Sequence, residues 1–83
     1  MPYSRARIRI ETHDDLMSII NDARTSNDSY IVEDFSGTHR VCAKSVMGML
    51  YAMSDFNNDM YLVNLTNDGK FPSFVDKYRV GGN

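Results

Sequence analysis

Residues that staple a chain or carry it across a membrane are scarce here. The 83 residues include one cysteine, Cys42, and two prolines. A lone cysteine closes no internal disulfide, and without a CxxC partner it makes no structural zinc site. Stability must come from a packed core. The longest uninterrupted apolar run is Met49 to Met53, far short of the ~20 residues that span a bilayer. The opening stretch Met-Pro-Tyr-Ser-Arg-Ala-Arg has no apolar signal core, so a cytoplasmic location is expected and no membrane partner. Nine Lys and Arg against eleven Asp and Glu leave a formal charge of −2, which is not the basic balance of a dedicated nucleic-acid binder. None of GxGxxG, GxxxxGKS/T, HExxH or GxSxG occurs. No nucleotide-binding or hydrolytic signature therefore supports an enzyme, and no cofactor is expected.

What is present suits one small folded domain, residues 1–83. The chain is 42% hydrophobic with five tyrosines and four phenylalanines, enough to fill a core and to argue against disorder. Its length falls within the roughly 50 to 200 residues of a single domain. Arg5 to Glu11 alternate, with Ala6, Ile8 and Ile10 on one face and Arg5, Arg7, Arg9 and Glu11 on the other, the period of a half-buried strand. From Thr12 the period changes. Leu16, Met17, Ile19, Ile20 and Ala23 form a helical stripe, with Thr12 as N-cap and Asp14 and Asp15 at the positive end of the helix dipole. The polar run Thr25 to Ser29 ends this helix.

Tyr30 to Glu33 and Thr38 to Cys42 read as a hairpin around Asp34-Phe35-Ser36-Gly37. Ser45 then caps a second helix from about Ser45 to Met53, with Val46, Met49, Leu50 and Met53 as its core stripe. Met60 to Thr66 gives a fourth strand, with Tyr61, Val63 and Leu65 on one side, and Asn67-Asp68-Gly69 a turn. Phe71, Phe74, Val75 and Tyr78 have helical spacing, with Pro72 tolerated in the first turn; the tail Gly81-Gly82-Asn83 is expected to fray. The order β-α-β-β-α-β-α implies an α+β open-faced sandwich of two layers, a four-stranded antiparallel sheet with its helices on one face.

That order, together with Val41-Cys42-Ala43-Lys44-Ser45-Val46-Met47-Gly48-Met49-Leu50, resembles HPr, the histidine-containing phosphocarrier family of the sugar phosphotransferase system. The carrying feature is Ala43-Lys44-Ser45 opening the second helix directly after a hairpin strand. The resemblance spans roughly Arg7 to Asp68 and implies an HPr-like fold. It also implies that Ser45 matches the serine that a dedicated ATP-dependent kinase phosphorylates in HPr proteins of many Gram-positive bacteria, to be read by a transcriptional regulator. The family's phosphoacceptor histidine lies in a Gly-Leu-His-(Ser/Thr)-Arg-Pro pattern. Here the stretch is Glu11-Thr12-His13-Asp14-Asp15, where Gly, Arg and Pro are missing and two carboxylates would repel a phosphorylated imidazole. His13 is read first as a solvated residue of the first turn. Relatives that lack the histidine and keep the serine act in regulation only.

The remaining candidates are weighed on residue chemistry. Met47, Gly48 and Tyr51 fall off the stripe of the second helix and, with Lys44 and Ser45, make a docking surface for a protein partner such as a regulator, a kinase or a phosphotransferase component. His39 beside Arg40 reads as an exposed or half-buried strand residue. With Cys42 it lacks third and fourth metal ligands, so no metal site is expected. Cys42 itself reads as a small filler near the second helix. Arg5, Arg7, Arg9 and Arg40 line the outer sheet face, read as solvated because no aromatic pattern for stacking is evident; nucleic acid is not the expected partner. Open strand edges leave a homo-oligomer open. The leading expectation is a non-catalytic HPr-like regulatory or interaction protein. Its alternatives are a divergent phosphocarrier using His13, and a mobile-element or viral protein that uses the fold to inhibit a host protein.

Overall fold

The computed structural model describes residues 3–57 and 59–80. The tail Gly81-Gly82-Asn83 lies outside them. The elements run β1 (Ala6–Ile8), α1 (His13–Thr25), β2 (Tyr30–Glu33), β3 (Arg40–Cys42), α2 (Val46–Asp55), β4 (Met60–Asn64) and a 3₁₀ helix (Ser73–Lys77).

Both α-helices start where a side-chain oxygen can take an orphan N–H. Thr12 has extended backbone and its Oγ1 accepts from the Asp15 N–H at 3.0 Å, while Asp15 Oδ2 reaches back to accept from the Glu11 N–H at 3.3 Å. Ser45 caps α2 in the same way, accepting from the Gly48 N–H at 3.1 Å. The strands form one antiparallel sheet in the order β1-β4-β2-β3. Ala6 faces Leu62, Ile8 faces Met60, and Val32 lies between Leu62 and Val41. These inner positions join Leu16, Ile19 and Ile20 of α1 and Met49 and Ala52 of α2 in one core. Burial of that apolar area is the main favourable term for a chain of this size.

Three sequence expectations shift in register or reach. Regular pairing of β1 is shorter than Arg5 to Glu11, although alternating burial continues to Ile10. The α2 face that meets the core is centred on Met49 and Ala52, so Leu50 is exposed, as is Met17 at the rim of the α1 stripe. Small Ala52 lets α2 approach the sheet along that line. Past β1, the Arg9 N–H donates to the Tyr78 carbonyl at 2.8 Å and the Val80 N–H to the Arg7 carbonyl at 3.0 Å. The C-terminal segment thereby covers the free edge of β1, leaving β3 as the open edge among the described residues.

A polar knot closes the end of the sheet below α1. Asn64 is buried; its Nδ2 donates to Asp28 Oδ2 at 3.0 Å and to the Lys70 carbonyl at 2.9 Å, and its Oδ1 accepts from the N–H groups of Thr66 and Asn67 at 2.9 Å each. The amides of Asn64 and Asn67 hold the Asp28 carboxyl below the usual carboxylate range. Every hydrogen-bonding group of one buried side chain is used, so Asn64→Ala removes four part-buried hydrogen bonds at once. We expect it to cost about 2 kcal/mol or more in a urea titration, with an unchanged midpoint as the contrary result.

Candidate functional site

The start of α2 is built from both sides. Ala43 is fully buried and its N–H donates to the Tyr30 carbonyl at 3.1 Å, which ends β3 against the core. Lys44 Nζ donates to the Ser26 carbonyl at 3.2 Å, and Arg24 Nε donates to the Lys44 carbonyl at 2.9 Å. The end of α1 therefore fastens the start of α2. A Cβ on Gly48 would sit 3.2 Å from Val41 Cβ, so Gly48 lets the first turn of α2 lie against β3.

This geometry divides the residues singled out from sequence. Met47 (81% exposed), Leu50 and Tyr51 share one outward face at i, i+3 and i+4. Gly48 is turned inward and contributes spacing rather than surface. Lys44 and Ser45, both half-buried, stand at the end of that face. The first turn of α2 holds no acidic residue. Negative charge on Ser45 would thus meet an uncompensated helix N-terminus with two cationic side chains close by.

His13 is exposed in the first turn of α1. Because the end of α1 meets the start of α2, His13 lies about 20 Å along the helix from that junction. The structure does not bring His13 and Ser45 together. Near the start of α1 a hollow of about 370 Å³ is lined by Arg9, Glu11, Asp15, Lys77 and Arg79.

His39 has a partner that the sequence reading missed. Its Nδ1 lies 2.9 Å from Asp34 Oδ2, while Asp34 Oδ1 accepts from Ser36 Oγ at 2.9 Å and from the Thr38 N–H at 3.2 Å. An aspartate three residues before a turn glycine was the available signal. Burial opposes ionisation of Asp34, but hydrogen bonds from His39 and Ser36 and from the backbone of His39 and Gly37 outweigh it and hold the carboxyl at about 2.

The outer face of the sheet holds the second missed feature. Glu33 is fully buried there: Tyr3 Oη donates to its Oε2 at 2.7 Å, Arg5 NH1 donates to the same oxygen at 2.9 Å, and Arg40 Nε lies 3.4 Å from Oε1. Arg5 also lies over the Tyr61 ring, 4.1 Å from its centroid, with Phe35 6.0 Å from Tyr61. Three rings stand on this face, Tyr61 from β4 and Tyr3 and Phe35 from outside the strands, and Arg5 covers that of Tyr61.

The Asp34 carboxyl generates a pH prediction. Its folded value lies below the unfolded one, so its stabilising contribution is full above pH ~4 and is lost as pH falls toward about 2. Acid titration of Asp34→Asn by circular dichroism should show a shallower loss of stability over that window than the wild type; parallel curves would contradict it.

No protein-family model, curated protein or solved structure matches the chain.

Proposed function

We propose that the chain is an HPr-like regulatory protein without catalysis of its own, which docks a protein partner through the outer face of α2 and is controlled at Ser45. The observation that carries this reading is the exposed apolar face Met47, Leu50 and Tyr51 directly beyond a capped serine. Apolar side chains grouped at helical spacing are a surface that a partner can desolvate. The order of elements, with Ala43-Lys44-Ser45 at the junction of β3 and α2, supports the resemblance on which the phosphosite rests. Phosphate on Ser45 would keep the cap, since its oxygens accept from the same N–H groups, and would change the charge at the edge of the docking face.

A second reading, a divergent phosphocarrier using His13, is favoured by Arg9, Lys77 and Arg79 around the hollow near the start of α1. In that reading these cations would stand in for the missing arginine of the family pattern, although each is paired with a carboxylate and His13 is not in the lining of the hollow. Asp14 and Asp15 act against it.

Intact-mass analysis after incubation with an HPr serine kinase and ATP tests the leading reading. One phosphate is expected on the wild type and none on Ser45→Ala. Met47→Asp should fold normally and be phosphorylated about tenfold more slowly or worse, as loss of a central apolar contact implies. An unmodified wild type, or a Met47→Asp variant modified at the wild-type rate, contradicts the reading. Phosphate gained instead from the phosphoenolpyruvate-dependent enzyme, and lost with His13→Ala, establishes the second.

A further inference from the structure

The sheet face opposite the helices carries features that the docking reading leaves unused. Arg5, Arg7, Arg9 and Arg40 stand there with the carboxylates of Glu11, Glu33 and Asp59 as their partners, whereas α1 and α2 together carry four aspartates and one arginine. On this face most guanidinium groups are engaged. Arg5 donates to Glu33 and to the carbonyls of Asp34 and Phe35, and Arg7 lies 3.3 Å from Asp59.

Arg40 differs. It is half exposed, its Nε sits 3.4 Å from Glu33 Oε1 without completing a hydrogen bond, and that buried oxygen has no hydrogen-bond partner among the described residues. No hydrogen bond occupies the terminal nitrogens of Arg40 among those residues either. The buried charge of Glu33 anchors the root of the guanidinium and leaves its fork open. Beside it the face dips into a hollow of about 270 Å³, walled by Tyr3, Ile31, Val63 and Leu65, with Asn64 and the Asp68 carboxylate also in its lining.

An open guanidinium fork next to an apolar hollow receives a carboxylate and a bulky apolar side chain together. We propose that the outer face of the sheet binds an extended acidic peptide segment of a protein partner, with a carboxylate on Arg40 and an apolar side chain in the hollow between Tyr3 and Leu65. The open fork of Arg40 selects a carboxylate, and Asp68 in the lining of the hollow leaves an uncharged apolar side chain as the group that enters it. Two observations select peptide over single-stranded nucleic acid. The ring on the central strand, Tyr61, is already covered by Arg5, and the hollow offers the single ring of Tyr3 beside Ile31, Val63 and Leu65, with the Asp68 carboxylate in its lining to repel phosphate. This face lies on the other side of the sheet from α2, so the present proposal and the α2 docking reading fail separately.

Fluorescence anisotropy of the full chain with a labelled peptide of alternating Glu and Phe provides the test. Saturable binding is expected, weakened about tenfold by Arg40→Ala and by Leu65→Asp, diminished by salt, and unchanged by Met47→Asp. Leu65 is more than half exposed, so its variant keeps the fold even where Arg40→Ala loosens the Glu33 cluster. The proposal is overturned by absence of saturable binding up to about 1 mM, by equal affinity for the peptide with Lys in place of Glu, by preference for an oligothymidylate of equal charge, or by wild-type affinity in both sheet variants.

Discussion

A carboxylate with no solvent contact stands on the side of the sheet that neither helix covers, and the arrangement of that side follows from it. Burying an ionised Glu33 costs several kcal/mol unless charge and hydrogen bonds compensate it. Tyr3 and Arg5 from the segment before β1 and Arg40 from β3 supply the compensation. To reach Glu33 on β2, Arg5 crosses β4 over the ring of Tyr61 and then ties down the carbonyls of Asp34 and Phe35. The residues before β1 are thus fixed to the end of β2. Val63 is buried on this side of the sheet and lies outside the core between sheet and helices. The hairpin turn is shaped to match: Gly37 has φ +77°, and a Cβ there would lie 3.4 Å from both Glu33 Oε2 and Tyr3 Oη.

The inner side depends on a simpler constraint, the burial of apolar stripes from two helices on alternate strand positions. Those helices meet end to start. Arg24 and Lys44 join the last turn of α1 to the residue before the α2 cap, which sets Ser45 at a rigid corner and leaves Met47, Leu50 and Tyr51 facing outward. The molecule consequently presents two unlike surfaces. One is the apolar outer face of α2; the other carries arginines paired with carboxylates beside a hollow lined by Ile31, Val63 and Leu65.

Much of the inner layer was legible because it follows periodicity. Ala6, Ile8 and Ile10 alternate as a strand must, and Leu16, Ile19, Ile20 and Ala23 repeat as a helix must, so element types and both caps could be read from the sequence. The rotation of α2 could not. Met49 and Leu50 are adjacent and equally apolar, and only the small Ala52 in contact with the core decides which of them turns in. The outer layer was least legible, since Glu33 and Arg5 look like ordinary solvated residues at outward positions and their pairing spans 28 residues of sequence. Nothing local marks such a pair. The Asp34 and His39 contact lies within a single hairpin loop and was recoverable from turn chemistry. At the candidate site, exposure of Met47 and Tyr51 was readable from the helical wheel, whereas the inward role of Gly48 depends on the closeness of β3.

The dependence of the outer face on Glu33 is tested most directly by a double-mutant cycle, measuring urea stability of Arg5→Ala, Glu33→Ala and the double variant. If the buried charge is the organising element, Arg5→Ala costs about 3 kcal/mol because it strands Glu33, and the double variant is no less stable than that single one. Additive losses, or a loss below about 1 kcal/mol for Arg5→Ala as at an exposed ion pair, would contradict the account.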